Sequence, residues 1–154
     1  MIRQSSRSNH GLTLIVYGIP GPQGSKKAVG TSKKGFTLMV ESSKKVKPWR
    51  KEVDRVAREA MLTHDRMDGP LRIFMTFTLP KGATVKRSHP SVTPDLSKLV
   101  RATEDALTTA GVWKDDALVV ECVSAKRYPS HGPDALDRPG VKIRIEPITD
   151  GLLI

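Results

Sequence analysis

Nine consecutive residues, LRIFMTFTL at 71–79, alternate in character, with Phe74 the one apolar residue on the second side. Leu71, Ile73, Met75, Phe77 and Leu79 fall on one side and Arg72, Phe74, Thr76 and Thr78 on the other, the two-residue period of a β-strand. A strand patterned in this way commits the chain to a sheet, and the flanking segments say what the rest of the fold contains. GLTLIVYG (11–18) is rich in β-branched and aromatic residues and stops at the turn residues IPGPQG, so it reads as a first strand. KKAVGT (26–31) and GFTLMVE (35–41), joined by SKK, read as a hairpin. A helix is expected from about Pro48 to His64, with Pro48 in its first turn and Trp49, Val53, Val56, Ala57, Ala60 and Met61 recurring at helical spacing. ALVVECVSAKRY (117–128) and VKIRIEPI (141–148) complete the strands. KGATVKRSHPSVT (81–93) and YPSHGPDALDRPG (128–140) show no apolar period and read as irregular loops, the first of them expected to be mobile. Strands and helices are interleaved with hairpins, which predicts an α/β (α+β) class: one domain, a mixed β-sheet covered by helices. That domain is expected over residues 11–150, behind a flexible basic leader at 1–10.

Charge narrows the partners. The 154 residues carry 26 Lys and Arg against 16 Asp and Glu, a formal net charge of +10, which favours polyanions and nucleic acid above all. A membrane is disfavoured, since the longest largely apolar run, LTLIV at 12–16, falls far short of the ~20 residues of a spanning helix. The opening MIRQSSRSNH has no apolar stretch or cleavage site behind it and does not read as a signal peptide. A single cysteine, Cys122, excludes an intramolecular disulfide and a cysteine-rich zinc site, and is expected to be buried. A reduced, cytoplasmic setting is expected.

Against this basic background the acids of TPDLSKLVRATEDALTTAGVWKDD (93–116) stand out. At about 100° per residue, Leu96, Leu99, Val100, Thr103, Ala106, Leu107 and Ala110 share the apolar face of a second helix, with Ser97, Arg101 and Glu104 opposite. Thr93 is the expected N-cap, Pro94 the first helical residue, Asp95 part of the first turn and Gly111 the left-handed terminator. Val112-Trp113 should re-enter the core, and Lys114-Asp115-Asp116 should form a turn. Taken singly, Asp95 only complements the helix dipole and Asp115-Asp116 is only a polar turn. Taken together in so basic a chain, they suit a hard-cation site, for Mg²⁺ takes one or two carboxylates plus water and substrate phosphate.

PDLSKLVRATEDAL (94–107) and AGVWKDDALVV (110–120) resemble, in order, spacing and hydrophobic pattern, the signature of the RusA family of Holliday-junction resolvases. There, Asp-x-Asp-Asn-Leu-x-Lys opens a helix and a turn with paired aspartates follows. PGPQGSKKAV (20–29) and SSKKVKPWR (42–50) resemble the family's earlier basic segments and extend the likeness over most of the chain. The resemblance implies a homodimeric, Mg²⁺-dependent endonuclease, with Mn²⁺ as the alternative ion and no nucleotide cofactor, that nicks four-way or branched DNA symmetrically. It also implies a phage or prophage origin and the host-cell cytoplasm as the setting. The family's catalytic aspartates fall on Asp95 and Asp116, with Asp115 beside the latter, and its catalytic lysine falls on Arg101. Its second Asp of Asp-x-Asp is Ser97 here, which removes a charged metal ligand, so Ser97 or Asp115 would have to substitute in part. A non-catalytic binder of branched DNA on the same fold is the alternative function, and a basic RNA-binding module ranks third.

Lys44, Lys45, Lys47, Arg50 and Lys51 form a basic cluster that is either a solvated face or, with the charge and the resemblance, a phosphate-contacting surface. Lys44, Lys45 and Arg50 are the expected DNA contacts there, joined by Lys26 and Lys27 beside the Gly-rich turn. Trp113 is expected to be a core anchor for the aspartate turn. His10, His64, His89 and His131 show no metal-ligand spacing.

Overall fold

The alternating residues at 71–79 lie in an inner strand of a four-stranded sheet. A computed structural model describes residues 10–24, 26–31, 37–41 and 44–149. Its elements are β1 (Leu12–Tyr17), β2 (Lys26–Thr31), β3 (Thr37–Glu41), α1 (Val46–Ala60), β4 (Leu71–Thr78), α2 (Leu96–Thr109), β5 (Val119–Arg127) and β6 (Gly140–Pro147). The sheet order is β1-β6-β4-β5. β6 runs antiparallel to both of its neighbours, and β5 runs parallel to β4. Parallel pairing needs a crossover, and the irregular loop after β4 together with α2 supplies it. β2 and β3 pair antiparallel as the expected hairpin, apart from the main sheet. The fold is a single α+β domain, a mixed sheet with two helices. Of the leader expected at 1–10 only His10 is among the described residues, and the hairpin connection at 32–36 lies outside them.

One face of the sheet is the core. Leu71, Ile73, Met75 and Phe77 line up with Leu14 and Val16 of β1 and with Val141, Ile143 and Ile145 of β6, beneath Trp49, Val53 and Ala57 of α1 and Leu99, Ala102, Ala106 and Leu107 of α2. A buried polar link ties the helices together: Trp49 Nε1 donates to Thr103 Oγ1 at 3.0 Å, and the Thr103 hydroxyl donates to the Leu99 carbonyl at 2.9 Å. No polar atom of this pair is left unmatched in the core, which would be costly. The other face carries Ile15, Tyr17 and Val123, all exposed, with the Arg144 guanidinium 4.3 Å from the centre of the Phe74 ring. Arg72, on the same face, pairs with Glu121 of β5.

Several boundaries differ from expectation. α1 starts two residues earlier than Pro48, with Lys45 at its cap, and closes at Ala60 rather than His64. Pro48 still sits within the first turn, where its missing N–H breaks no helical bond. α2 takes Asp95, not Thr93, as its N-cap, and Pro94 precedes the helix. Residues 116–118 form a 3₁₀ turn ahead of β5. Cys122 is exposed rather than buried, because β5 is the sheet edge and residues 120–123 are all uncovered. No helix of the described residues is long and apolar enough to cross a membrane.

Candidate active site

Ser97, Arg101 and Glu104 follow one another at four- and three-residue intervals, so they stack along one face of α2. That face borders a cavity of about 530 Å³. The helix reaches its end at Gly111, whose φ of +80° suits a residue without Cβ. The Gly111 N–H donates to the Thr108 carbonyl and the Val112 N–H to the Leu107 carbonyl, each at 3.1 Å, turning the chain back on itself. Val112 and Trp113 then enter the core, and Trp113 Nε1 donates to Thr108 Oγ1 at 2.7 Å. Backbone bonds from Met67 N–H to the Val112 carbonyl (2.9 Å) and from Lys114 N–H to the Met67 carbonyl (3.1 Å) clamp the turn from the other side.

This anchoring delivers the aspartate pair. Asp115 caps the 3₁₀ turn, its Oδ1 accepting from the Ala117 N–H at 2.8 Å. Asp116 is carried into the cavity beside Ser97, Arg101, Glu104 and Asp105. Asp95 stands at the opposite end of the helix, about 13 Å of helix rise from Glu104. It lines an adjoining cavity of about 680 Å³, which shares Gln23, Gly24 and Lys98 with the first. Its carboxylate lies 3.8 Å from Lys98 Nζ. From β5, Lys126 Nζ donates to the Val92 and Pro94 carbonyls at 2.8 and 2.9 Å and holds the chain just ahead of Asp95.

The electrostatics centre on Glu104, which helical spacing put on the polar face. Burial lifts its carboxyl above the usual carboxylate range, and the neighbouring charges of Asp116 and then Asp105 add to the effect, against Arg101. Among the described residues no three or more His, Cys, Asp or Glu side chains group so as to hold a metal ion. The donor chemistry nevertheless fits a hard cation: Mg²⁺ needs only one or two carboxylates beside water and phosphate, and here acids crowd one another at a cavity wall.

The short segment Pro20–Gly24 is the part of the site that sequence patterns missed. The Gln23 N–H donates to the Lys98 carbonyl at 2.9 Å, fastening the segment to the first turn of α2. A Cβ on Gly21 would lie 2.2 Å from the Lys45 carbonyl oxygen, so the segment also presses on the start of α1. A glycine between two prolines was the available signal of such a close approach. Of the expected DNA contacts, Lys44 and Lys45 are exposed and line the larger cavity, while Arg50 is half-buried on α1 and lines neither. Lys26 and Lys27 open β2, and their side chains lie outside the described residues.

A family model described as endodeoxyribonuclease RusA matches residues 20–146, a span that includes every side chain named around the two cavities. Comparison with curated proteins gives no match.

Proposed function

Because the chain belongs to the RusA family of endodeoxyribonucleases, we propose that it is a divalent-metal-dependent, structure-selective endonuclease that resolves four-way DNA junctions by paired nicks. The observation that carries this reading is the meeting of Arg101 with Glu104 and Asp116 at one cavity, next to a second that is bordered by Asp95, Lys44 and Lys45. Asp116 and Asp95 are the proposed catalytic carboxylates. Asp116 and Glu104 would hold Mg²⁺ or Mn²⁺ at the cavity that Ser97 also lines, with Asp95 on the wall of the adjoining one. Once bound, such an ion supplies a water acidic enough to attack at neutral pH and charge to offset the phosphodiester.

The chain's own groups do the rest. Arg101 turns its guanidinium charge toward the phosphate, stabilising negative charge there rather than serving as a proton donor. Glu104 supplies the negative charge that Ser97 lacks relative to the family signature. Asp115, through its bond to the Ala117 N–H, sets the turn that presents Asp116. Lys44, Lys45 and Arg50, with Lys26 and Lys27, take the DNA backbone. Two matched cuts across a symmetric junction call for two related sites, hence a homodimer, and the proposed setting is the cytoplasm.

The test is a synthetic four-way junction incubated with and without Mg²⁺ and resolved on a denaturing gel. Paired nicks that require the metal are expected. Tight junction binding with no cleavage in either Mg²⁺ or Mn²⁺ would make the protein a non-catalytic binder of branched DNA instead.

A further inference from the structure

The larger cavity has more room than the acids need. Its walls next to Asp95 are apolar, built from Pro20, Pro22, Leu79, Val85 and Val92, while Lys44, Lys45 and Arg87 line it as exposed cations. At about 680 Å³ it falls in the size range of pockets that enclose small organic ligands, typically 300–1,000 Å³. One polar atom of Gln23, a residue that borders both cavities, is unaccounted for. Gln23 Oε1 is buried and has no hydrogen-bond partner among the described residues, although the Gln23 backbone is pinned to Lys98. A buried amide oxygen without a partner is destabilising unless something else donates to it.

We infer that this cavity receives a single unstacked nucleobase of the DNA substrate, from a nucleotide next to the scissile phosphate, and that the Gln23 amide reads its edge. The inference rests on the nuclease reading above and adds a specificity site to it. Apolar walls suit the faces of a base, and the cations suit the phosphates on either side of it. An amide offers one acceptor and two donors, which match the mixed donor and acceptor groups of a base edge. Position follows from the shared wall: Gln23, Gly24 and Lys98 border both cavities, so a base held in one leaves its phosphate at the other. Removing a base from a stack is least unfavourable where stacking is already interrupted, as it is at the branch point of a junction that a protein holds open. The pocket therefore links recognition of branched structure to the choice of the nucleotide at which the strand is cut.

The experiment places 2-aminopurine, whose emission is quenched by stacking, in turn at each nucleotide flanking the branch point of a four-way junction. Ca²⁺ replaces Mg²⁺ to prevent cleavage. Wild-type protein should raise the emission several-fold at one position. Val92→Trp, on an exposed wall residue, and Val85→Trp should fill the cavity and abolish that rise while junction affinity stays within about threefold. Gln23→Leu should keep the rise and, in Mg²⁺, redistribute cleavage among junctions that differ only in the flanking base. Junction binding without a rise at any position, or a rise equal in wild type and both tryptophan variants, overturns the base pocket and leaves the nuclease reading standing. Absence of any junction binding overturns both.

Discussion

Glu104 ionises against its surroundings: burial and the charges of Asp116 and Asp105 all favour its protonated form. A carboxyl whose folded pKa is raised lends stability while protonated. It loses that contribution as pH climbs through its unfolded value and on through the higher folded one. Glu104→Gln should therefore melt above wild type at neutral pH, and the gap should close in acid, below the ordinary carboxylate range. A set of thermal melts across that range measures it. The same substitution should raise the Mg²⁺ concentration needed for half-maximal cleavage, whereas Ser97→Asp should not lower it, because a further acid would crowd those already present. Asp116→Asn tests the proposed ligand directly. Cleavage should fall below detection while junction binding in a gel shift is unchanged or tighter, since one repulsion of phosphate has gone.

At the scale of the elements, α2 and the turn behind it decide where the acids stand. Gly111 ends that helix with a positive φ, and the position a Cβ would take there is open space. Gly111→Ala should thus cost only the backbone conformation, about 1 kcal/mol. In a chain of this length that lowers Tm by about 2–4 °C, which calorimetry resolves. Much at this level was legible in the residues. The alternation of Leu71 to Leu79, the helical recurrence from Leu99 to Leu107 and the Gly111 stop are local periodicities, and local periodicity survives into the fold. The cap of α2 was less legible: Thr93 and Asp95 are both good capping residues, and only the path of the chain before the helix chooses between them. The partnership of Ser97, Arg101 and Glu104 can be read from helical spacing. The arrival of Gln23 cannot, because it depends on a backbone bond to Lys98 across 75 positions of sequence. Cys122 was misplaced for a similar reason. A strand's apolar pattern does not say whether it will lie at the edge of its sheet.

For the molecule as a whole, the net charge of +10 sets the approach to DNA, and Lys44 and Lys45 bring part of it to the cavity that Asp95 lines. Neutralising Lys44, Lys45 and Arg50 together should flatten the plot of log affinity against log salt by up to about 2.7, near 0.9 for each phosphate no longer neutralised. A slope that does not change would make the cluster an ordinary solvated face. The close approach at Gly21 bears on how the chain tolerates change. With the Lys45 carbonyl 2.2 Å from where any Cβ must sit, no side chain is accommodated without moving the start of α1 or releasing Gln23. In a saturation scan scored by cleavage, position 21 should rank beside Asp116, although it carries no functional group. Scored by melting temperature the two separate: substitutions at exposed Asp116 leave the fold intact, and those at Gly21 do not. Intolerance at one marks chemistry, and at the other only the clearance between two stretches of backbone.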